Sequence, residues 1–531
     1  MVRCFVHDLR VDHFRIQVQN SYDCFGGMCM KKWMSLSVVF LLIVLCSYYG
    51  MGVGTEKILK RNIDVLNQSS EIKVAIQHYQ RGWFRSHAEL KWTIKIPESS
   101  PDQSLHRTVF PLKKAYTFEV PLDIYHGPMM WVNYRLYFGL GYAHAKAHLP
   151  TAIDQELAKN YNYNAEKFEY TINVIVNYLN KTTVQFSIPQ YRMNAKKGDN
   201  FFQWLGMMTN IAVSGDKQHL QGDLFLKGFS WKNKDVKGLL GSVKGSYDMQ
   251  QALDNLYIGT AELSAPSLAI FHKDLPIFRL NDVQLHSESD LQDGLFNSSF
   301  SAKVNQVTVG DKVGSRYVFD LSFQNLDANV LAVMNRKLRE LQTTTHDTQR
   351  LLWALLPDLP ALLSKGARVS LDNFEMNMNM PSGRVKMDLN LSLPNEKFTN
   401  PLQILQKIKG ESNLTVSKAV LSTWLQEILK KAMLMQAQKQ SLAKEMHEPD
   451  AVVAPTSAPD QKQASLPSMT SVENPNIADS QLSMKADAKI KEWTHEGVLV
   501  QEGTDYSVLL TLIDGKLFIN GHPFNPTLLA V

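Results

Sequence analysis

Residues 369–393 read VSLDNFEMNMNMPSGRVKMDLNLSL. Apolar side chains recur at every second position: Val369 and Leu371, then Phe374, Met376, Met378 and Met380, a turn at Pro381-Ser382-Gly383, and Val385, Met387, Leu389, Leu391 and Leu393 on the way back. Successive side chains of a strand point to opposite faces, so this period of two predicts a hairpin with one apolar face. The other face carries Asp372, Glu375, Asn377, Asn379, Lys386, Asp388 and Asn390, as a half-buried antiparallel sheet requires. The alternation slips near Asn373, which predicts a β-bulge.

The same period extends in both directions. Ala88, Leu90, Trp92, Ile94 and Ile96 alternate with polar residues, as do Tyr170, Ile172, Val174, Val176 and Tyr178, then Val184, Phe186 and Ile188 beyond the corner Asn180-Lys181. Near the end, Tyr506, Val508, Leu510 and Leu512 lead into Asp514-Gly515, a favoured two-residue turn, and Leu517 and Ile519 lead out. Helical stripes interrupt the strands at Val330, Leu331, Met334, Leu338 and Leu341 and at Leu421, Trp424, Leu425, Ile428 and Leu429. Residues 447–479 are rich in Pro, Ser, Ala, Gln and Asp with no apolar period, the composition of a flexible linker. The expected architecture is α+β, mainly antiparallel β: a β-rich body over 55–446, the linker, and a helix with a hairpin over 480–531. That last unit is too small to be stable alone and is expected to pack on the body.

Ahead of the body, residues 33–53 (WMSLSVVFLLIVLCSYYGMGV) carry no charge and follow Lys31 and Lys32. At about 1.5 Å per residue such a helix crosses a hydrocarbon core of roughly 30 Å. A cleaved signal needs small residues where this run has Tyr48 and Tyr49, so an uncleaved anchor over 30–54 is expected, with Trp33, Tyr48 and Tyr49 as interfacial aromatics. Gly50 and Gly54 form a small-xxx-small pair that would let two anchors approach. Lys57, Lys60 and Arg61 follow the span, so charge counting leaves its orientation open. All four cysteines (Cys4, Cys24, Cys29, Cys46) lie before or within the span, which agrees with an exported body and removes structural disulfides and cysteine nucleophiles from it. Residues 1–29 lack caps and period; they are expected to be a non-native leader, with the start at Met30 and Gly26-Gly27 encoded by a ribosome-binding tract, or else a short cytoplasmic tail.

Composition sets further bounds. The chain of 531 residues is 44% hydrophobic and 10% aromatic, ample for a packed core. A net charge of +5 with dispersed basic residues argues against nucleic-acid binding. His144 and His148, four apart, would share a helix face and suit zinc, but Ala-Lys-Ala between them offers no general base. Met376, Met378 and Met380 form a soft set that Cu(I) would accept, although the same face continues in Leu and Val, as core packing would. No nucleophile elbow, zinc-protease helix or phosphate loop occurs, and no cofactor, metal or catalytic residue is expected.

Several spaced segments carry a resemblance: Tyr79-Gln80-Arg81-Gly82-Trp83-Phe84-Arg85-Ser86-His87-Ala88, the turn His126-Gly127-Pro128, Gly139-Leu140-Gly141-Tyr142-Ala143, Gly222-Asp223-Leu224 to Gly228-Phe229-Ser230-Trp231, Phe323-Gln324-Asn325-Leu326-Asp327, and Leu517-Phe518-Ile519-Asn520-Gly521. Over roughly residues 31 to 525 the chain resembles the YdgA-like bacterial proteins of unknown function, departing from them in the leader before Met30. The resemblance implies an inner-membrane anchor with a periplasmic, self-associating body and no known reaction. Its motif residues read as structural: Gly82 permits a turn, Trp83 and Phe84 plug the core edge, Arg81 pairs with a carboxylate or caps carbonyls, and Tyr79 leads into the strand. His126, Gly127 and Pro128 form a turn, and Asn520 and Gly521, which close the last motif segment, are likewise structural. Three function classes follow: a noncatalytic protein holding a lipid or other amphiphile on an apolar sheet surface, a homodimeric envelope scaffold, or an uncharacterised hydrolase. The first fails if the two helices cover the apolar strand faces; the third needs groups such as Arg81, His126 and His144 to converge.

Overall fold

A computed structural model describes residues 26–67, 72–95, 115–149, 151–162, 168–342, 348–379, 382–445 and 479–524. The α+β reading holds, with 57% strand and 25% helix, and the strands join almost entirely into one antiparallel sheet of 25 strands.

The hairpin expected over 369–393 pairs Arg368–Asn379 with Ser382–Ser392, Met376 opposite Val385 and Asn379 opposite Ser382. Its register shifts between Leu371 and Phe374, so the slip near Asn373 is a bulge. Of the expected turn Pro381-Ser382-Gly383, Ser382 and Gly383 are paired within the strand; Met380 and Pro381 lie outside the described residues. Met376 and Met378 pack against the core beneath the C-terminal helices, as ordinary apolar side chains do.

Directly opposed residues share a face, so following the register across the sheet sorts its two sides. One row runs Ile172, Phe186, Thr209, Leu224, Gly245, Leu263, Leu285, Ala302, Phe319, Phe374, with Thr209 its sole polar member. One residue along each strand, the reverse face reads His87, Asp123, His144, Asn173, Gln185, Asn210, Asp223, Ser246, Glu262, His286, Ser301, Asp320, Asn373, without an apolar member. Period-two alternation kept in phase over successive strands makes the whole sheet amphipathic. Breaks within its longer strands stay in register: the Leu205 amide donates to the Gly228 carbonyl and the Lys227 amide to that of Gly206.

Helices cover the apolar side at its ends. At one end the helix Gly26–Leu66 lays Ile63 and Leu59 on Val74, Ala88, Leu90, Val120 and Leu122. This helix includes a stretch, Val39–Arg61, long and apolar enough to cross a membrane, and continues past the expected boundary at Gly54 because Leu59 and Ile63 extend a stripe onto the sheet. At the other end Lys418–Glu445 and Asp479–His495 enclose Val385, Val416, Val420, Leu425, Ile490 and Tyr506. The strand Asp505–Ile513 pairs with Lys409–Ser417, so the C-terminal segment completes the sheet. Its turn at Asp514-Gly515 connects Ile513 to Lys516 with both residues at positive φ, as a two-residue hairpin loop demands. The helices Ala328–Gln342, Thr348–Leu355 and Leu359–Leu362 bury Leu326, Met334 and Leu362 with Phe296, the first helix lying against the central strands Val243–Leu253, Leu256–His272 and Lys312–Asp327.

Candidate functional site

The motif residues between Tyr79 and Pro128 gather around the part of the long helix that holds Tyr48, Tyr49, Gly52 and Glu56. His126, fully buried, is held from both ring nitrogens: Nδ1 lies 3.1 Å from the Tyr48 carbonyl and Nε2 3.1 Å from the Ser86 hydroxyl. A backbone carbonyl can only accept, so Nδ1 carries the proton and Ser86 donates to Nε2. Burial, with Arg81 adding repulsion, holds the imidazole below its ordinary 6.5 even though the Tyr48 carbonyl favours the charged form. Gly52 crosses over this ring and Gly127 over the Tyr48 ring, each approach open only to a residue without Cβ.

Around that clamp the Tyr48 hydroxyl donates to the Met129 carbonyl (2.6 Å), Tyr48 meets Phe84 edge-on with centroids 4.8 Å apart, and Tyr49 lies 5.5 Å from Trp83. The Arg81 guanidinium sits over the Tyr49 ring at 5.2 Å and reaches Glu56 at 3.4 Å. Gly82 leaves room for the Arg85 carbonyl, and the Pro128 carbonyl accepts from the Tyr178 hydroxyl. Tyr79 packs beneath the helix with the core at that end. Trp83 and Phe84 do not plug the core edge: they stand 56% and 53% exposed beside the helix, because the chain turns there before entering its strand. Asn520 and Gly521 make a two-residue turn far along the chain; Asn520 accepts from the Leu509 amide (2.8 Å) and donates to the Gly497 and Val498 carbonyls.

The residues singled out for chemistry do not converge. Arg81 and His126 are neighbours, but His144 belongs to the polar row, across the sheet from His126, where its Nδ1 is 2.7 Å from Asn173. His144 and His148 lie on the strand Gly141–His148 and not on a helix, which spreads four residues over roughly 13 Å, too far to share one metal ion. Among the described residues no group of three or more His, Cys, Asp or Glu is placed to hold a metal. Ser86 and His126 are a hydroxyl–imidazole pair, but both are buried and the imidazole is oriented by a carbonyl instead of a carboxylate. On the polar side Asp123 bonds to Arg85 (2.7 Å) and His87 (3.0 Å); burial pushes its carboxyl up, and these two bonds outweigh that and hold it below the usual carboxylate range.

Two surfaces stand out instead. Between the core under the long helix and the core under the C-terminal helices, the apolar row from Leu224 through Leu263 and Leu285 to Phe319 belongs to none of the buried clusters of the described residues. Leu263 and Phe300, in this row and the next, are each 37% exposed. The second surface is the hairpin Met129–Val132 with Arg135–Phe138, whose outward side chains Met129, Trp131, Leu136 and Phe138 are all exposed. Its sequence, MMWVNYRLYF, is apolar at nearly every position and so lacks the alternation that marks a half-buried strand. That run, interrupted only by Asn133 and Arg135, is the one signal the sequence offers for it; its place beside the long helix appears only in the fold.

A family model described as a bacterial protein of unknown function (DUF945) matches residues 30–527. No curated protein and no solved structure matches the chain.

Proposed function

This chain belongs to the DUF945 family of bacterial proteins of unknown function, and we propose that it is a noncatalytic, single-pass protein of the bacterial inner membrane whose periplasmic sheet holds a lipid or other amphiphile. The observation that carries this reading is the uncovered apolar row. Its uncovered stretch, from Leu224 to Phe319, crosses five strand-to-strand steps, roughly 24 Å at about 4.8 Å per step. Soluble monomers rarely leave so long an apolar face open, and such faces mark binding surfaces. The row starts at the core beneath the helix that would cross the membrane, since Ile172 packs there, so acyl chains leaving the bilayer have apolar contact from the first strand onward. The reverse face carries a continuous polar row from His87 to Asn373, which keeps water as its partner. A hydrolase reading has no converging site to support it.

Photocrosslinking tests the reading in membranes. A benzophenone amino acid at Leu285 or Phe300 should yield adducts of lipid mass, whereas Gln284 and Lys303, which point to the polar side, should not. Equal yields on the two faces, or none on the apolar one, would overturn it. One observation favours a homodimeric scaffold as a second reading: a Cβ at Gly50 or Gly54 would meet nothing within 4 Å, which leaves that helix face free for another anchor. With Cys4, Cys24 and Cys29 replaced by Ser, oxidation of the exposed Cys46 in membranes should then give a disulfide-linked dimer, and persistent monomer would count against it.

A further inference from the structure

The outward face of the hairpin Met129–Val132/Arg135–Phe138 lies where the long helix meets the body. Register places Met129 opposite Phe138 and Trp131 opposite Leu136, and these four side chains share the outer side. Trp131 is 66% and Phe138 57% exposed. The inner side is conventional: Met130, Val132 and Tyr137 pack on Tyr125, Tyr142 and Ile175. A hairpin with a packed inner face would ordinarily show polar residues outward. Here the outer face is apolar too, and exposed Phe84 meets the ring of the same Tyr48 whose hydroxyl donates to the Met129 carbonyl, with exposed Trp83 beside Tyr49.

The helix fixes the height of this patch. Val39, Phe40, Leu41, Leu42 and Ile43 are bare, whereas Gly52 and Ile63 are buried against the body, so the passage from surroundings to protein falls between Ile43 and Gly52. Tyr48 and Tyr49 occupy that passage and touch Phe84, Trp83 and the Met129 carbonyl. Counted back from Tyr49, the charge-free run reaches Trp33, a length of 17 residues that is just enough for a membrane crossing and puts its aromatic end at this level. Trp and Tyr favour the boundary between acyl chains and headgroups, and the hairpin tip offers Tyr134 and Arg135 as polar and cationic ends to such a boundary.

We infer that Trp83, Phe84, Met129, Trp131, Leu136 and Phe138 form a collar that inserts into the interfacial zone of the same bilayer the helix spans, seating the body against the membrane. The inference rests on the anchor reading and is independent of whether the open sheet face carries lipid. An anchor alone is a tether about which the body could swing; a second, offset insertion fixes its tilt.

The test uses the full chain reconstituted into phosphatidylcholine–phosphatidylglycerol vesicles. An environment-sensitive fluorophore is attached at Trp131→Cys in a background with Cys4, Cys24, Cys29 and Cys46 replaced by Ser, with Lys303→Cys as a polar-face control. A third protein keeps only Cys46 as the reporter of the anchor. The expected result is a blue-shifted position 131 label, quenched several-fold more by lipids with a shallow nitroxide than the position 303 label and shielded from aqueous iodide. If the Cys46 label is quenched by lipid while position 131 behaves like position 303, the anchor stands and the collar falls. If neither is quenched, the anchor reading falls and takes the collar with it. A position 131 label shielded from iodide yet untouched by lipid nitroxide would assign the patch to a second copy or another protein, which also overturns the collar.

Discussion

Gly52 lacks a side chain at the point where a Cβ would sit 2.7 Å from Cε1 of the buried His126 ring. Gly52→Val is therefore expected to force the helix off its clamp at a cost of about 1–3 kcal/mol. Gly50→Ala, in open space on the same helix, should be neutral or stabilising by up to about 1 kcal/mol. Paired denaturation curves of the two variants in detergent separate these outcomes. Titration offers a second reading of the clamp. Because burial holds His126 below 6.5 in the folded chain, the unfolded chain takes up the proton first as pH falls. The stability contributed is complete above pH 6.5 and is lost as pH descends from there toward the folded value. His126→Gln should flatten that segment of the stability–pH curve, above the range in which Asp123 and other carboxylates titrate. Asn520 is the corresponding fastening near the C-terminus: Asn520→Ala leaves the Leu509 amide and the Gly497 and Val498 carbonyls without their partner, for a loss of about 1–3 kcal/mol in thermal or urea unfolding.

Elements whose chemistry is local were the most legible in the sequence. The hairpin at 369–393, its bulge and the Asp514-Gly515 turn follow from period and turn residues, because both signals depend on backbone geometry within a few positions. The long helix was legible only as far as its apolar run; its continuation to Leu66 depends on Leu59 and Ile63 finding a sheet that is distant in sequence. The outward hairpin at Met129–Phe138 is not legible in the sequence, since an apolar run in isolation does not say whether protein or lipid will cover it. For the same reason Trp83 and Phe84 were expected inside and are found outside. The C-terminal strand gives a prediction at this scale. Asp505–Ile513 covers the edge of Lys409–Ser417, and the helix Asp479–His495 completes the core around Val420 and Leu425. Deleting residues 447–531 should expose both an unpaired edge and an apolar cluster, and the truncated chain should partition into aggregates on size exclusion while the full chain does not.

At the scale of the molecule the question is which parts of one amphipathic sheet are core and which are surface. Alternation alone cannot say, because Leu285 and Leu414 have the same strand period, yet Leu414 packs beneath two helices and Leu285 lies in the open stretch. Coverage depends on where the helices land, and that is set by contacts between residues far apart in the chain. The distinction yields the sharpest test. A charge placed in a closed core must be buried or must unfold its surroundings, so Ile490→Asp, at a position 2% exposed, should cost more than about 4 kcal/mol. At Leu285 the same carboxylate can reach water beside Leu263 and Ala302, and Leu285→Asp should cost about 1 kcal/mol or less. If the open face exists to hold acyl chains, Leu285→Asp should nonetheless abolish lipid adducts from a crosslinker at Phe300 while leaving the unfolding midpoint nearly unchanged. A large loss of stability at Leu285 would mean that this stretch is a core like the others, and retained adducts would mean that its apolar character is not what the occupant needs.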